Sequence, residues 1–202
     1  MNLRAIGVVA RLQVQRSRLK TGQKPNRVYD TSPLADAPQM QVSPQGAMAV
    51  WPDGRTEIDV HHLRHPQSQH AVNNGVSIDF TPNYARMRER FGHHVWNGCA
   101  GENLLIETGE ALTLADLEGG LVIHCGASNE DLRLGDSLIA LPCLEFSRFA
   151  LRLPQAEKTS AEIKDALQFL DGGTRGYYVT PMNHAAPLVV SVGDRVFLSS
   201  VP

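Results

Sequence analysis

With 202 residues, 42% of them hydrophobic, and a formal net charge of −2, the chain can bury one sizeable core. That charge gives no overall attraction to nucleic acid or to a membrane surface. No apolar run approaches the ~20 residues a helix needs to cross a bilayer, and the start lacks the continuous apolar stretch of a secretory signal.

Short β-rich runs separated by Gly, Pro and Asn/Asp turns predict strands at 6–14, 39–42, 56–60, 76–80, 104–107, 120–125, 137–141, 177–180 and 195–199. The first lies within an acid-free start that carries seven basic residues before Asp30 (Arg4, Arg11, Arg16, Arg18, Lys20, Lys24 and Arg27), read here as strand plus solvated loop rather than targeting or anion binding. Thr81-Pro82 predicts a helix start with 83–91 following and Gly92 stopping it. Thr159-Ser160 is the expected cap of a second helix over 161–170, ended by Gly172-Gly173. Many short strands and few helices predict a mostly β fold, a barrel or sandwich in a single domain over 1–202. Gly135-Asp136 reads as a tight turn feeding the 137–141 strand.

The cysteines, Cys99, Cys125 and Cys143, are three in number with no CxxC spacing. An odd count without a leader predicts free thiols in a reducing compartment, hence a cytoplasmic protein. Cys99 and Cys125 are expected to be structural. Cys143 differs because Pro142 ends regular strand pairing and leaves the thiol at the strand's lip. Glu145 and Arg148 follow closely, and a guanidinium there favours the nucleophilic, metal-binding thiolate. Gly101-Glu102-Asn103 offers close backbone approach, a carboxylate and an amide that both donates and accepts. Arg148 and Arg175 are the expected cations for an anionic ligand group, Arg175 because it lies in the glycine-rich 172–176 loop. Around Glu57-Ile58-Asp59-Val60-His61-His62-Leu63-Arg64-His65, a strand would put Glu57, Asp59 and His61 on one face, the beginning of an N/O metal site. The milder reading makes His61 or His65 a proton donor at a substrate mouth. No G-x-S-x-G, P-loop or Rossmann fingerprint is present.

In order and spacing, Gly101-Glu102-Asn103-Leu104, the run from Leu134 to Cys143, Gly176-Tyr177-Tyr178-Val179 and Gly193-Asp194-Arg195-Val196 resemble the MOSC domain, the family named for the C-terminal region of molybdenum cofactor sulfurases. The resemblance covers most of residues 3–200 and is poorest around His61, where a Gly-Gly-Asp-type element of many relatives is missing. It implies a MOSC-type β-barrel with a few peripheral helices. It implies molybdenum cofactor (molybdopterin) held through the Cys143 thiolate as metal ligand, with Glu102, Asn103, Arg148 and Arg175 around the pterin and its phosphate. The implied activity is reduction of N-hydroxylated small molecules, with catalytic Cys143 and His61. The chain has neither the thiolates for an iron–sulfur cluster nor a flavin fingerprint, so electrons would come from a separate protein. Two alternatives stand beside this: a sulfur carrier bearing a persulfide on Cys143 and fed by a sulfur-donor protein, and a non-catalytic barrel that binds a small molecule or protein. No nucleic-acid or membrane partner is expected.

Overall fold

The structure is a computed structural model that describes residues 2–68, 70–71, 73–154, 160–182 and 186–200. In chain order its strands begin with β1 (Leu3–Gln15), β2 (Lys20–Thr21), β3 (Val28–Tyr29), β4 (Leu34–Ala37), β5 (Gln39–Ser43), β6 (Gly46–Val50), β7 (Thr56–Ile58) and β8 (Val76–Phe80). Helix α1 (Thr81–Phe91) leads to β9 (Leu104–Thr108), β10 (Leu121–Cys125) and β11 (Glu130–Ile139). Helices α2 (Leu144–Leu151) and α3 (Ala161–Leu170) precede β12 (Tyr177–Met182), β13 (Leu188–Ser191) and β14 (Arg195–Ser199).

Seven strands close into a barrel in the order β14-β10-β11-β12-β8-β9-β1, with β1 pairing back onto β14. Closure removes the open edges that a flat sheet would leave. β1 reaches two neighbours because it bends. Its register shifts between Ala5 and Gly7 against β14, and between Val9 and Arg11 against β9. Each shift is an irregularity of the kind that turns a long strand around a barrel. Its far half also takes β4 as an extra partner. A second sheet, β13-β5-β6-β7, shares the barrel's core through Met40, Val42, Ala47, Ala49, Leu188 and Val190.

The ring is antiparallel except for β8 and β9, which run parallel across the α1 connection. All five residues of β8 are buried, as expected for a strand covered on both faces. The three helices lie outside the barrel. Tyr84, Met87, Val95, Cys99, Leu105, Phe146, Ala150 and Leu170 form a separate core beneath them.

Several boundaries differ from the sequence expectation. β11 begins at Glu130, so Gly135-Asp136 is an interruption within the strand, with the pairing to β12 shifting between Gly135 and Leu138. A Gly-Asp pair suits a bulge as well as a turn, since both need a residue in an unusual conformation. Asp136 has φ 47°. β7 stops at Ile58, which takes Asp59 and His61 out of the strand geometry that would have given Glu57, Asp59 and His61 one common face. Thr81 is the first residue of α1 rather than its cap, and Phe80 in the cap position supplies no side-chain bond. Ser160 does cap α3, its hydroxyl accepting from Ile163 N at 3.3 Å, while Thr159 of the expected pair lies outside the described residues. α2, directly after Cys143, has no counterpart in the sequence reading.

Candidate functional site

At the level of Ile78 in β8, the start of β12, the turn before β9 and the end of β11 come together with the end of β1. Antiparallel pairing sets Tyr177 opposite Ile78, and the Ala140 N–H donates to the Gly176 carbonyl at 3.0 Å. The Asn103 N–H donates to the Ser77 carbonyl at 2.9 Å, which brings the Gly-Glu-Asn turn to the same place. Gly101 must be glycine here: φ is 89°, and a Cβ would stand 2.6 Å from the Leu19 side chain. Its carbonyl accepts from Gln15 Nε2 at 2.6 Å.

Two adjoining cavities open here. A narrow one of about 20 Å³ is lined by Gln15, His61, Ser77, Glu102, Arg175 and Tyr178 among others. A wider one of about 360 Å³ shares Gln15, His61, Arg175 and Tyr178 with it and adds Arg18, Lys20, Arg27 and Tyr29. The wider volume suits a small-molecule ligand. Among the described residues its lining holds Arg18, Lys20, Arg27 and Arg175 and no carboxylate. Glu145 pairs with Arg27 at 3.2 Å without itself lining the cavity. The basic segment read from sequence as a solvated loop therefore contributes three side chains to the cavity. The acid-free stretch with seven cations was the available signal, and the sequence reading set it aside in favour of a solvated loop.

Arg175 lies at the junction. One of its terminal nitrogens donates to the Ala100 carbonyl at 3.0 Å, its guanidinium stands 5.4 Å from the Phe146 ring centre, and its Nε has no hydrogen-bond partner. Burial works against its charge, but the ionisable side chains of Tyr29, Cys143 and Tyr178 around it outweigh that and raise it above the ordinary arginine value. The 172–176 segment is a braced turn. Gly176 N–H donates to Gly173 O at 3.0 Å, and Asn83 Nδ2 donates to the same carbonyl at 3.1 Å.

Glu102 is buried on the cavity wall. Its Oε2 accepts from the Tyr84 hydroxyl at 2.8 Å, and Oε1 has no partner. Burial holds its carboxyl above the ordinary value, although the Tyr84 bond and Arg175 oppose this. Asp79, fully buried with Oδ2 also unpartnered, is held well above the ordinary value by burial and then by the neighbouring Glu102. Sequence reasoning passed over Asp79 because nothing in Ile78-Asp79-Phe80 distinguishes a buried strand carboxylate from a surface one.

Asn103 faces inward. Its Oδ1 accepts from Ser77 N and Ser77 Oγ at 3.0 and 3.1 Å, and its Nδ2 donates to Gln13 O and Asp59 Oδ2 at 3.3 and 3.0 Å. It lines neither cavity. Arg148 sits in the last turn of α2, also away from both linings.

Cys143 is half-buried at the N-terminal end of α2, where its carbonyl accepts from Ser147 N–H and Oγ at 3.0 and 3.1 Å. It packs on the core containing Tyr29 and Phe146, within electrostatic reach of Arg175. Leu141, two residues earlier, is on the wall of the wide cavity, but the thiol is not. Cys99 and Cys125 are buried, and burial pushes both thiols up, that of Cys125 to about 11.

His61 lines both cavities, and its Nδ1 is 2.9 Å from Asp59 Oδ1. The surrounding histidines serve the loop instead. His65 accepts from Gln67 N–H and reaches Arg16 O, and His70 Nδ1 contacts His61 O at 3.0 Å. Burial, then the charge of Arg64, holds His62 below the ordinary histidine value. Glu57 pairs with Arg16 at 2.9 Å. Among the described residues no group of three or more His, Cys, Asp or Glu side chains could hold a metal ion, so the rival reading of this segment as an N/O metal site finds no support.

A closed barrel with outer helices and a cationic cavity defines the class of fold. No protein-family model matches the chain, and no curated protein matches it in sequence. Solved structures share its fold. The YuaD protein from Bacillus subtilis has 15% identity over 100% of this chain and 98% of its own, with a TM-score of 0.56. YiiM from Geobacillus stearothermophilus, a MOSC-domain protein, has 15% identity over 98% of this chain and 76% of its own, with a TM-score of 0.50. A hypothetical protein of known structure has 13% identity over 99% of this chain and 70% of its own, with a TM-score of 0.51. At these identities the shared property is the fold. Among the described residues no helix is long and apolar enough to cross a membrane.

Proposed function

We propose that the chain is a MOSC-type protein that holds molybdenum cofactor in its cationic cavity and reduces N-hydroxylated small molecules with electrons from a separate protein. The observation that carries this reading is the wide cavity, about 360 Å³, whose lining includes Arg18, Lys20, Arg27 and Arg175. Guanidinium and ammonium groups in a recess suit a phosphate-bearing ligand. The donor and acceptor set also fits a pterin edge, because Glu102 Oε1 and Arg175 Nε are both buried with no partner. A buried polar atom without a partner is costly, and a ligand that satisfies it recovers that cost. The barrel likeness to YiiM supports the reading at the level of fold.

In this account Cys143, at the start of α2 and two residues beyond Leu141 on the cavity wall, is the protein ligand of the metal. When bound, the cofactor would supply the two-electron chemistry. The protein's part is to anchor the phosphate with the cations, to bind the pterin with Glu102 and Arg175, and to exchange protons through His61. A second reading keeps Cys143 as a persulfide carrier for a partner protein. The observation favouring it is that the thiol is off the cavity wall, flanked by Leu141 and Leu144 at 72% and 36% exposure.

The test is the molybdenum and pterin content of protein made in a host that synthesises the cofactor. The expected result is near-stoichiometric molybdenum in the wild type, lost in Cys143→Ala. Sulfur on Cys143 released by cyanide, with no molybdenum, would instead establish the carrier. Neither signal would overturn both readings.

A further inference from the structure

Asp59 is fully buried, and both its oxygens are occupied. Oδ2 accepts from Gln15 N–H at 2.7 Å and from Asn103 Nδ2 at 3.0 Å. Oδ1 accepts from His61 N–H at 2.8 Å and meets His61 Nδ1 at 2.9 Å. Three of these partners can only donate. The orientation of the Asn103 amide is fixed in turn, because its oxygen faces the Ser77 N–H and its nitrogen faces the Gln13 carbonyl. A carboxylate held this way accepts a hydrogen bond from Nδ1–H, which keeps the proton on Nδ1 and leaves Nε2 as the ring nitrogen available to the cavities that His61 lines.

We infer that Asp59 is the positioning residue of His61, fixing its imidazole in the Nδ1-protonated tautomer so that Nε2 is the ring nitrogen that takes up a proton from solvent and hands it to a bound substrate, and that Asn103 acts by holding Asp59 rather than by touching the ligand. The inference rests on the reading of His61 as the proton-exchanging residue. It assigns the Gly101-Glu102-Asn103 turn two tasks: Glu102 faces the cavity, and Asn103 supports the imidazole from behind. A buried carboxylate bonded to the inner nitrogen of a histidine is a recurrent means of setting ring orientation and tautomer.

The consequence of Asp59→Asn follows from counting donors. The Oδ2 side faces two groups that can only donate, whereas the Oδ1 side faces one such group and an imidazole that can change tautomer. The amide oxygen therefore turns toward Gln15 and Asn103, its NH2 turns toward His61, and the imidazole moves its proton to Nε2. The test is the ring-nitrogen NMR spectrum of the cofactor-free protein above the histidine titration range, with His61 assigned by its loss in His61→Gln. The wild type should show Nδ1-protonated His61, and folded Asp59→Asn should show Nε2-protonated His61. An Nε2-protonated or mixed wild type overturns the inference even if Asp59→Asn does not fold, as does a folded variant whose tautomer is unchanged. This readout needs no molybdenum, so failure of the cofactor reading leaves it standing and its own failure leaves the cofactor reading standing.

Discussion

Asp79 and Glu102 are buried carboxyls held above their ordinary values, chiefly by burial. The sign of the consequence is fixed: the folded chain binds these protons more tightly than the unfolded chain, so their contribution is complete below about pH 4 and is lost as pH rises through the folded values. Denaturant midpoints measured from about pH 5 to pH 8 should fall, and Glu102→Gln or Asp79→Asn should flatten that fall. Variants whose midpoints decline in parallel with the wild type would show that these groups are not responsible. Residues of this kind differ in how far the sequence announces them. Pro142 marks Cys143, and the glycine turn marks Glu102. Asp59 was marked by His61 two residues on, but as part of a metal site; its bonds to Gln15 and Asn103, each 44 residues away in the chain, carry no local signal. The same holds for Asn103, whose turn is visible while the direction its amide faces is decided by Ser77 and Gln13.

Among the elements, the turn before β12 sets Arg175, and it depends on Gly176. With φ at 91° and a Cβ position 2.4 Å from the Ile78 carbonyl oxygen, alanine there meets both an unfavourable conformation and fixed backbone. Gly176→Ala should cost at least about 2 kcal/mol in urea unfolding, against about 1 kcal/mol for Ser160→Ala at the α3 cap. Equal losses would mean that the turn yields more easily than its geometry indicates. Strands β8 and β14 match the sequence pattern at both ends because their apolar runs are bounded by strong breakers. α2 was missed for a physical reason: Cys143 in its cap position makes no side-chain bond, and the Leu141-Pro142 before it reads as the end of a strand. The start of β11 was missed because Gly-Asp serves a bulge and a turn equally well.

For the molecule as a whole, barrel closure brings residues from both ends of the chain to one cavity. Arg18 and Lys20 follow β1, and Arg175 precedes β12. The mostly β character was legible from strand density and the barrel from the family resemblance; strand density alone left barrel and sandwich open, because ring closure depends on β1 bending to pair with both β9 and β14. The same distance in sequence hid the cationic cavity, which joins a basic run read as solvated to an arginine more than a hundred residues later. The central claim is that this cavity holds molybdenum cofactor with Cys143 as the metal's protein ligand. X-ray absorption at the molybdenum edge of cofactor-loaded protein tests it most directly. The account predicts a sulfur ligand beyond the dithiolene pair in the wild type and its absence in Cys143→Ser; an identical sulfur count in both would contradict it.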